Sequence, residues 1–294
     1  MKTIGFLNSA SESAFTDLVT AFREGLAEEG FTEGDNVKII SHWADGNYHR
    51  LPEMAADLIR QRVDVLATTG GVVSAQAGMA ATQTIPVLFV SGYDPAEVEF
   101  VSGKKGPTAN ATGVSVSGTD SVLERLEHFC KLVPAGTKIA VLVRPGTYVS
   151  KLEIAEAKKA NLVVIEATSE NDLAKAFASA RKQGLGALLV SADPFFTSRR
   201  EKIVALAAEN KMPTGYPWRE YVKAGGLMSY GASLSEAYRQ IGKYAGQILK
   251  DVQPRKLAVR VAKTPDFELV IHQETARALG IQIPQTLRAQ AEVL

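Results

Sequence analysis

Short apolar runs alternate along the chain with longer stretches in which apolar positions return every third or fourth residue. The first run, residues 4–7 (Ile4-Gly5-Phe6-Leu7), predicts a buried strand. A polar turn at 8–13 follows, and its serines are candidates to cap a helix carrying Phe15, Leu18, Val19, Phe22 and Leu26 on one face. Gly30 ends that helix. A second strand at 37–40 leads into a helix over about 48–62, marked by Leu51, Met54, Ala55, Leu58 and Ile59. Residues 63–67 predict a third strand. Its run ends in Thr68-Thr69-Gly70-Gly71 and passes straight into a small-residue helix reaching about 83. Strands at 85–90 and 111–116 complete this half.

After 117–120 the pattern starts again. Runs beginning near 3, 36, 63 and 85 are matched by runs beginning near 138, 161, 185 and 212, in the same strand–helix order. Such alternation predicts an α/β fold of two doubly wound parallel-sheet lobes, with helices on both faces of each sheet. The tail adds a strand at 226–230, an amphipathic helix at 233–250, extended segments at 257–261 and 267–271, and a helix at 273–279. These leftovers predict that the chain crosses between lobes near 115–119, 229–232 and 262–266. The first lobe is then 1–116 plus 232–262, and the second 119–229 plus 266–294.

Composition narrows the class. The chain has 294 residues, 46% hydrophobic and 22% charged, with 33 basic and 32 acidic side chains and a net charge of +1. No long single-sign run marks a nucleic-acid surface, and no apolar run approaches the ~18 residues of a membrane span. The N-terminus reads as a strand beginning at once, not as a signal peptide, so the protein is either cytoplasmic or has had a leader removed. Cys130 is the single cysteine, which excludes disulfides within the chain, and its helical setting predicts a buried thiol.

Ligands of open parallel sheets bind beyond the carboxyl ends of the strands. Six turns qualify: 8–13, 68–74, 91–95, 144–148, 191–196 and 214–218. Their Ser, Thr, Arg, Asp and aromatic residues suit a small polar or zwitterionic ligand with an apolar body. Helix N–H groups and hydroxyls would hold a carboxylate, and Asp193 or Asp94 an ammonium. Each residue also has a plainer use: Asp193 as the cap of the helix after Pro194, Asp94 as a turn initiator, Phe196, Tyr216 and Trp218 as core, Arg144 in a surface ion pair. Catalytic signatures are poor. His42, His49, His128 and His272 fall at no metal-ligand spacing, and neither a phosphate-binding loop nor a Gly-x-Ser-x-Gly elbow is present. Gly184-Leu185-Gly186 lacks its third glycine, and the Ser179…Lys182 pair lies in a predicted helix. Binding is favoured over turnover.

Several segments together carry a family likeness. They include Ala21-Phe22-Arg23-Glu24-Gly25-Leu26, Leu51-Pro52-Glu53-Met54-Ala55-Ala56-Asp57-Leu58, Ile85-Pro86-Val87-Leu88-Phe89-Val90 and Thr112-Gly113-Val114-Ser115. Further ones are Ala192-Asp193-Pro194-Phe195-Phe196, Gly225-Gly226-Leu227-Met228-Ser229-Tyr230-Gly231 and Phe267-Glu268-Leu269-Val270-Ile271. The chain resembles the type I solute-binding proteins of bacterial ABC transporters, in the family that includes tryptophan- and tyrosine-binding members. The resemblance implies two lobes joined by three hinge crossovers that close on one ligand. It also implies a periplasmic protein, exported through a leader absent from this sequence, with an ABC transporter permease as partner. Where aromatic amino acid binders of the family carry an Asp-Asn-Thr turn, this chain has Asp193-Pro194-Phe195.

The expected function is therefore that of an extracytoplasmic receptor of an ABC importer. It would bind a small carboxylate-bearing ligand, an aromatic amino acid or aromatic acid, in the interlobe cleft. The expected ligand contacts are Ser9, Thr69, Gly70, Gly71, Ser74, Ser91 and Asp94 from the first lobe and Arg144, Tyr148, Asp193, Phe196, Tyr216 and Trp218 from the second, with Ser115 and Ser229 at the hinges. A monomer without cofactor, metal, nucleic-acid partner or enzymatic activity is expected. The alternatives are a cytoplasmic enzyme or small-molecule sensor on a similar scaffold, and the effector half of a transcriptional regulator, which would need a DNA-binding segment.

Overall fold

In a computed structural model of the chain, all residues are described except 93–98, 102–103, 106–108, 117–118 and 264–265; for 99–101, 104–105, 119–121 and 148–149 only the backbone is. The chain divides into two compact units, Met1–Ser117 with Leu234–Ala262 and Gly118–Ser233 with Lys263–Leu294.

The first stretch of the first unit runs β1 (Lys2–Asn8), α1 (Thr16–Glu28), β2 (Val37–Trp43), α2 (Leu51–Arg60), β3 (Val65–Thr69), α3 (Val72–Ala81) and β4 (Val87–Ser91). A small ribbon, β5 (Glu99–Val101) with β6 (Lys104–Lys105), precedes β7 (Ala111–Ser115). The second unit opens with α4 (Thr119–Cys130), β8 (Ile139–Val143), α5 (Tyr148–Lys159), β9 (Val163–Glu166), α6 (Glu170–Lys182) and β10 (Ala187–Val190). It continues through α7 (Pro194–Thr197), α8 (Arg200–Glu209), β11 (Thr214–Tyr216), α9 (Arg219–Lys223) and β12 (Met228–Ala232). The chain then returns to the first unit as α10 (Leu234–Leu249) and β13 (Arg260–Val261). It finishes in the second with β14 (Phe267–Ile271), α11 (Gln273–Ala278), α12 (Gln285–Arg288) and β15 (Glu292–Val293).

Among the described residues, the first unit's main sheet has the order β2-β1-β3-β4-β7-β13, all parallel. The second has the order β9-β8-β10-β11-β12-β14-β15. The first five places of the two sheets match one for one, so the duplication read from the apolar runs is a duplication of topology. Every residue of β3, β4, β7, β8 and β10 is buried, as unbroken apolar runs covered on both faces require. The match ends at the sixth place, where β14 runs antiparallel to β12 and β15 pairs with β14. No crossover helix of the same sheet precedes β14, so the handed connection that enforces parallel pairing does not act on it. Arg219 of α9 pins both added strands, bonding Glu268 of β14 and Glu292 of β15, the latter at 2.9 Å.

Three local expectations need correction. None of the serines at 9–13 caps α1; a 3-10 turn, Ser13–Phe15, leads into it instead, and Phe15 turns inward. Cys130 is exposed, because α4 points Phe129 into the core and the next position lies off that face. Residues 194–197 form the short helix α7 rather than an open loop.

Helix α10 closes the first unit by packing on α1 through glycines. A Cβ on Gly25 would lie 1.9 Å from the Arg239 carbonyl oxygen, and one on Gly242 2.1 Å from that of Phe22. The backbones therefore approach as only glycine permits. Glu28 holds the exposed rim, meeting Arg239 at 2.5 Å and Lys243 at 2.8 Å.

Gly242→Ala sets a helix-propensity gain of about 1 kcal/mol against a backbone clash that no rotamer change relieves. Overpacking of this kind costs about 1–3 kcal/mol. The variant is expected to lose stability in urea unfolding, with the midpoint shifted down and the slope unchanged; an unchanged midpoint would show that α1 and α10 do not pack this closely.

Candidate functional site

The carboxyl ends of β1, β3, β4 and β7 lie side by side in the first sheet. Asn8, the last residue of β1, ties the loops there together. The Ala10 amide can only donate, and it does so to Asn8 Oδ1 at 2.7 Å. That turns the Asn8 amide group toward Thr69 Oγ1, at 2.8 Å, and the Tyr238 hydroxyl of α10, at 3.3 Å. Ser9 Oγ donates to the Gly70 carbonyl at 2.6 Å. Gly70 has φ +80°, and a Cβ on it would meet Asn8 Oδ1 at 2.5 Å and the Ser9 amide nitrogen at 2.7 Å. Both the left-handed turn and the close approach demand glycine.

Gly71, with φ +86°, stands at the N-cap of the ten-residue helix α3, and no side chain caps it. The helix thus presents amide donors and its positive end at the sheet edge. Ser74, in its first turn, is fully buried, and its hydroxyl has no hydrogen-bond partner. Thr69 accepts from Asn8 and keeps its own hydrogen to donate. Ser91 and Ser115, fully buried, pair in register at the ends of β4 and β7. The structure brings together Ser9, Thr69, Gly70, Gly71, Ser74, Ser91 and Ser115; Asp94 lies outside the described residues.

In the second unit the equivalent edge carries Arg144 after β8, the 191–196 turn after β10, and Tyr216 at the end of β11. Thr147 caps α5 through a reciprocal pair with Ser150, at 3.0 and 3.1 Å, which sets Tyr148 at the first helical position. Asp193 Oδ1 accepts from the Phe195 amide at 2.8 Å, so it does cap α7. The residue is 6% exposed. The guanidinium groups of Arg144 and Arg199 lie over the Phe195 ring, 4.7 and 4.0 Å from its centroid.

Phe196 and Tyr216 are fully buried and Trp218 nearly so. Tyr216 stacks on Tyr221 at 4.7 Å and lines a cleft of about 460 Å³ with Met212, Leu227 and His272, at the amino-terminal edge of the sheet. Packing against their own unit is what the structure assigns to Phe196 and Tyr216. Ser229, paired with Tyr216 in register, is 1% exposed, and its hydroxyl has no hydrogen-bond partner.

Sequence reasoning passed over Asn8, Tyr238, Arg125 and Glu153. Glu153 of α5 and Arg125 of α4 are 3% and 2% exposed. Glu153 Oε1 accepts from the Ala192 amide at 3.1 Å. The Glu153 carboxyl is held up to about 7, chiefly by burial and with a lesser push from the Asp193 charge, against the opposing pull of the Ala192 amide, Arg125 and the Ser191 hydroxyl. The signal was present in the pattern. Arg125 falls between Val122 and Phe129 at helical spacing, on a stripe that otherwise faces the core.

Among the described residues there is no group of three His, Cys, Asp or Glu placed to hold a metal, and no helix long and apolar enough to cross a membrane.

The sequence profile of a family described as ABC transporter substrate binding protein matches residues 3–294. A protein of Clostridioides difficile named tyrosine-binding protein is 26% identical over 289 residues, covering 96% of this chain and 81% of that one. Among solved structures, a conserved domain protein from Vibrio cholerae superposes with a TM-score of 0.85 at 26% identity, covering 99% of each chain. An ABC domain in complex with L-Trp from Streptococcus pneumonia gives a TM-score of 0.84 at 25% identity, again over 99% of both.

Asn8→Ala would leave the buried Ala10 amide without an acceptor and free the loops after β1 and β3. The expected loss is about 1–3 kcal/mol of unfolding free energy in urea; a neutral result would remove Asn8 as the tie between these loops.

Proposed function

The chain belongs to the ABC transporter substrate binding protein family, and from that premise we propose that it is the extracytoplasmic receptor of an importer for a small carboxylate-bearing ligand, an aromatic amino acid or aromatic acid. One observation carries the reading: the uncapped amino end of α3, entered through Gly70 and Gly71, with the buried Ser74 hydroxyl lacking a partner beside it. Backbone donors, a hydroxyl and a helix dipole together suit a carboxylate. Asp193 supplies the opposite charge in the second unit, where an ammonium would complete it. An α-amino acid carries both groups. That pairing also fits the tyrosine-binding relative and the L-Trp complex of the streptococcal one.

In this reading the carboxylate is taken by Thr69, Gly70, Gly71 and Ser74, with Ser9, Ser91 and Ser115 around them, and the ammonium by Asp193. Asp94, Arg144, Tyr148, Trp218 and Ser229 are further candidates to shape the ligand's surroundings. Phe196 and Tyr216 act from behind by packing. The protein acts as a monomer outside the cytoplasm, in the periplasm, and delivers its ligand to a permease without turnover or cofactor. A ligand shifts the protein between conformations only by its differential affinity for them.

Thermal-shift screening with L-tryptophan, L-tyrosine, L-phenylalanine and their des-amino acids is expected to find a stabilising ligand. At a hundred times the dissociation constant the gain is about 2.7 kcal/mol. Ser74→Ala and Asp193→Asn, the latter keeping the α7 cap, are each expected to weaken the hit by roughly tenfold or more. No shift with any of these compounds would overturn the reading.

A further inference from the structure

Three charged groups lie buried behind the 191–193 turn of the second unit. Asp193 is 6% exposed, Glu153 of α5 3% and Arg125 of α4 2%. Glu153 grips the turn itself, since its Oε1 takes the Ala192 amide hydrogen at 3.1 Å, next to the residue whose carboxylate caps α7. The Ser191 hydroxyl lies beside Glu153 as well. The charged groups acting on Glu153 are Arg125, which favours its ionised form, and Asp193, which opposes it. The turn sits among further charges, with the Arg144 and Arg199 guanidinium groups over the Phe195 ring two residues beyond. A carboxyl buried as deeply as Glu153 is costly to ionise, and a positive charge arriving near it lowers that cost.

We propose that Glu153 is a positioning residue that holds Asp193 for the ligand's cationic group, and that docking of this group drives a proton off Glu153. The inference rests on the receptor reading above and deepens it: the ligand class is an amine or zwitterion rather than a simple carboxylic acid. The sign follows from the linkage. Free, the Glu153 carboxyl titrates near pH 7, held up chiefly by burial. A nearby ammonium favours the carboxylate and lowers the value in the complex. Binding therefore strengthens as pH rises toward 7 and releases a proton in between; above that range the affinity levels off.

Isothermal titration of the full chain with L-tryptophan between pH 5.5 and 8, in buffers of different ionisation enthalpy, tests this. The tryptophan ammonium stays charged throughout. The expected result is an affinity that climbs roughly tenfold, with proton release near pH 6.5, and no climb for indole-3-propionate, which lacks the amine. Glu153→Gln keeps an acceptor for the Ala192 amide but cannot ionise, so it should bind at every pH about as the unaltered protein does at pH 5.5. A merely structural role would lower affinity evenly and leave the slope intact, which overturns the proposal, as does a slope of opposite sign. Binding of L-tryptophan with a flat profile overturns this inference alone. Absence of binding at every pH overturns it together with the aromatic amino acid reading on which it rests.

Discussion

Helix α10 can complete the first unit only because glycines on both partners let its backbone meet that of α1. Gly25 and Gly242 bring carbonyl oxygens to within about 2 Å of where a methyl group would stand. This contact is what recovers a segment of chain that has been away for more than a hundred residues. It also reaches the site. Tyr238, on the same helix, takes a hydrogen bond from Asn8 at the end of β1, and Asn8 holds the turn that opens α3. Interior packing and the placing of the uncapped amino end of α3 are thus parts of one mechanical chain, set by how near two helices can come.

The two units solve the same architectural problem with different side chains. Both present strand ends at the carboxyl edge of a parallel sheet, where helices begin and amides point outward. Among the described residues, the first unit's edge carries hydroxyls, the Asn8 amide and glycine, all neutral groups. In the second it is built over buried charge: Asp193, Glu153 and Arg125, with two guanidinium groups over Phe195. A duplicated topology carries two different sets of polar groups at the same edge.

Much of the fold was legible in the sequence because unbroken apolar runs such as 85–90 and 139–143 occur where both faces of a strand are covered. The repeat was legible for the same reason. The direction of β14 was not, since periodicity reports which face is buried and is silent about which way a strand runs. Cys130 was misplaced because one helical step separates the buried Phe129 from an exposed position. Within the candidate site, the glycine turn at 70–71 announced itself by composition. Asn8 did not, because one amide side chain after a strand looks like any other turn residue until its three partners are in place. Glu153 and Arg125 could have been found, as charges sitting where helical phase asks for an apolar side chain.

The chain passes between the two units three times, and the first unit takes its last helix and strand from residues 234–262. A nascent polypeptide emerging from the ribosome therefore carries the face of α1 that α10 covers, Gly25 included, without its partner until residues 234–249 have been made. The unit made first is finished late, after every strand from β8 to β12 has already been synthesised. That ordering keeps the early segment available to chaperones while residues 118–233 are made, and makes its final closure a long-range step in the sequence rather than a local one.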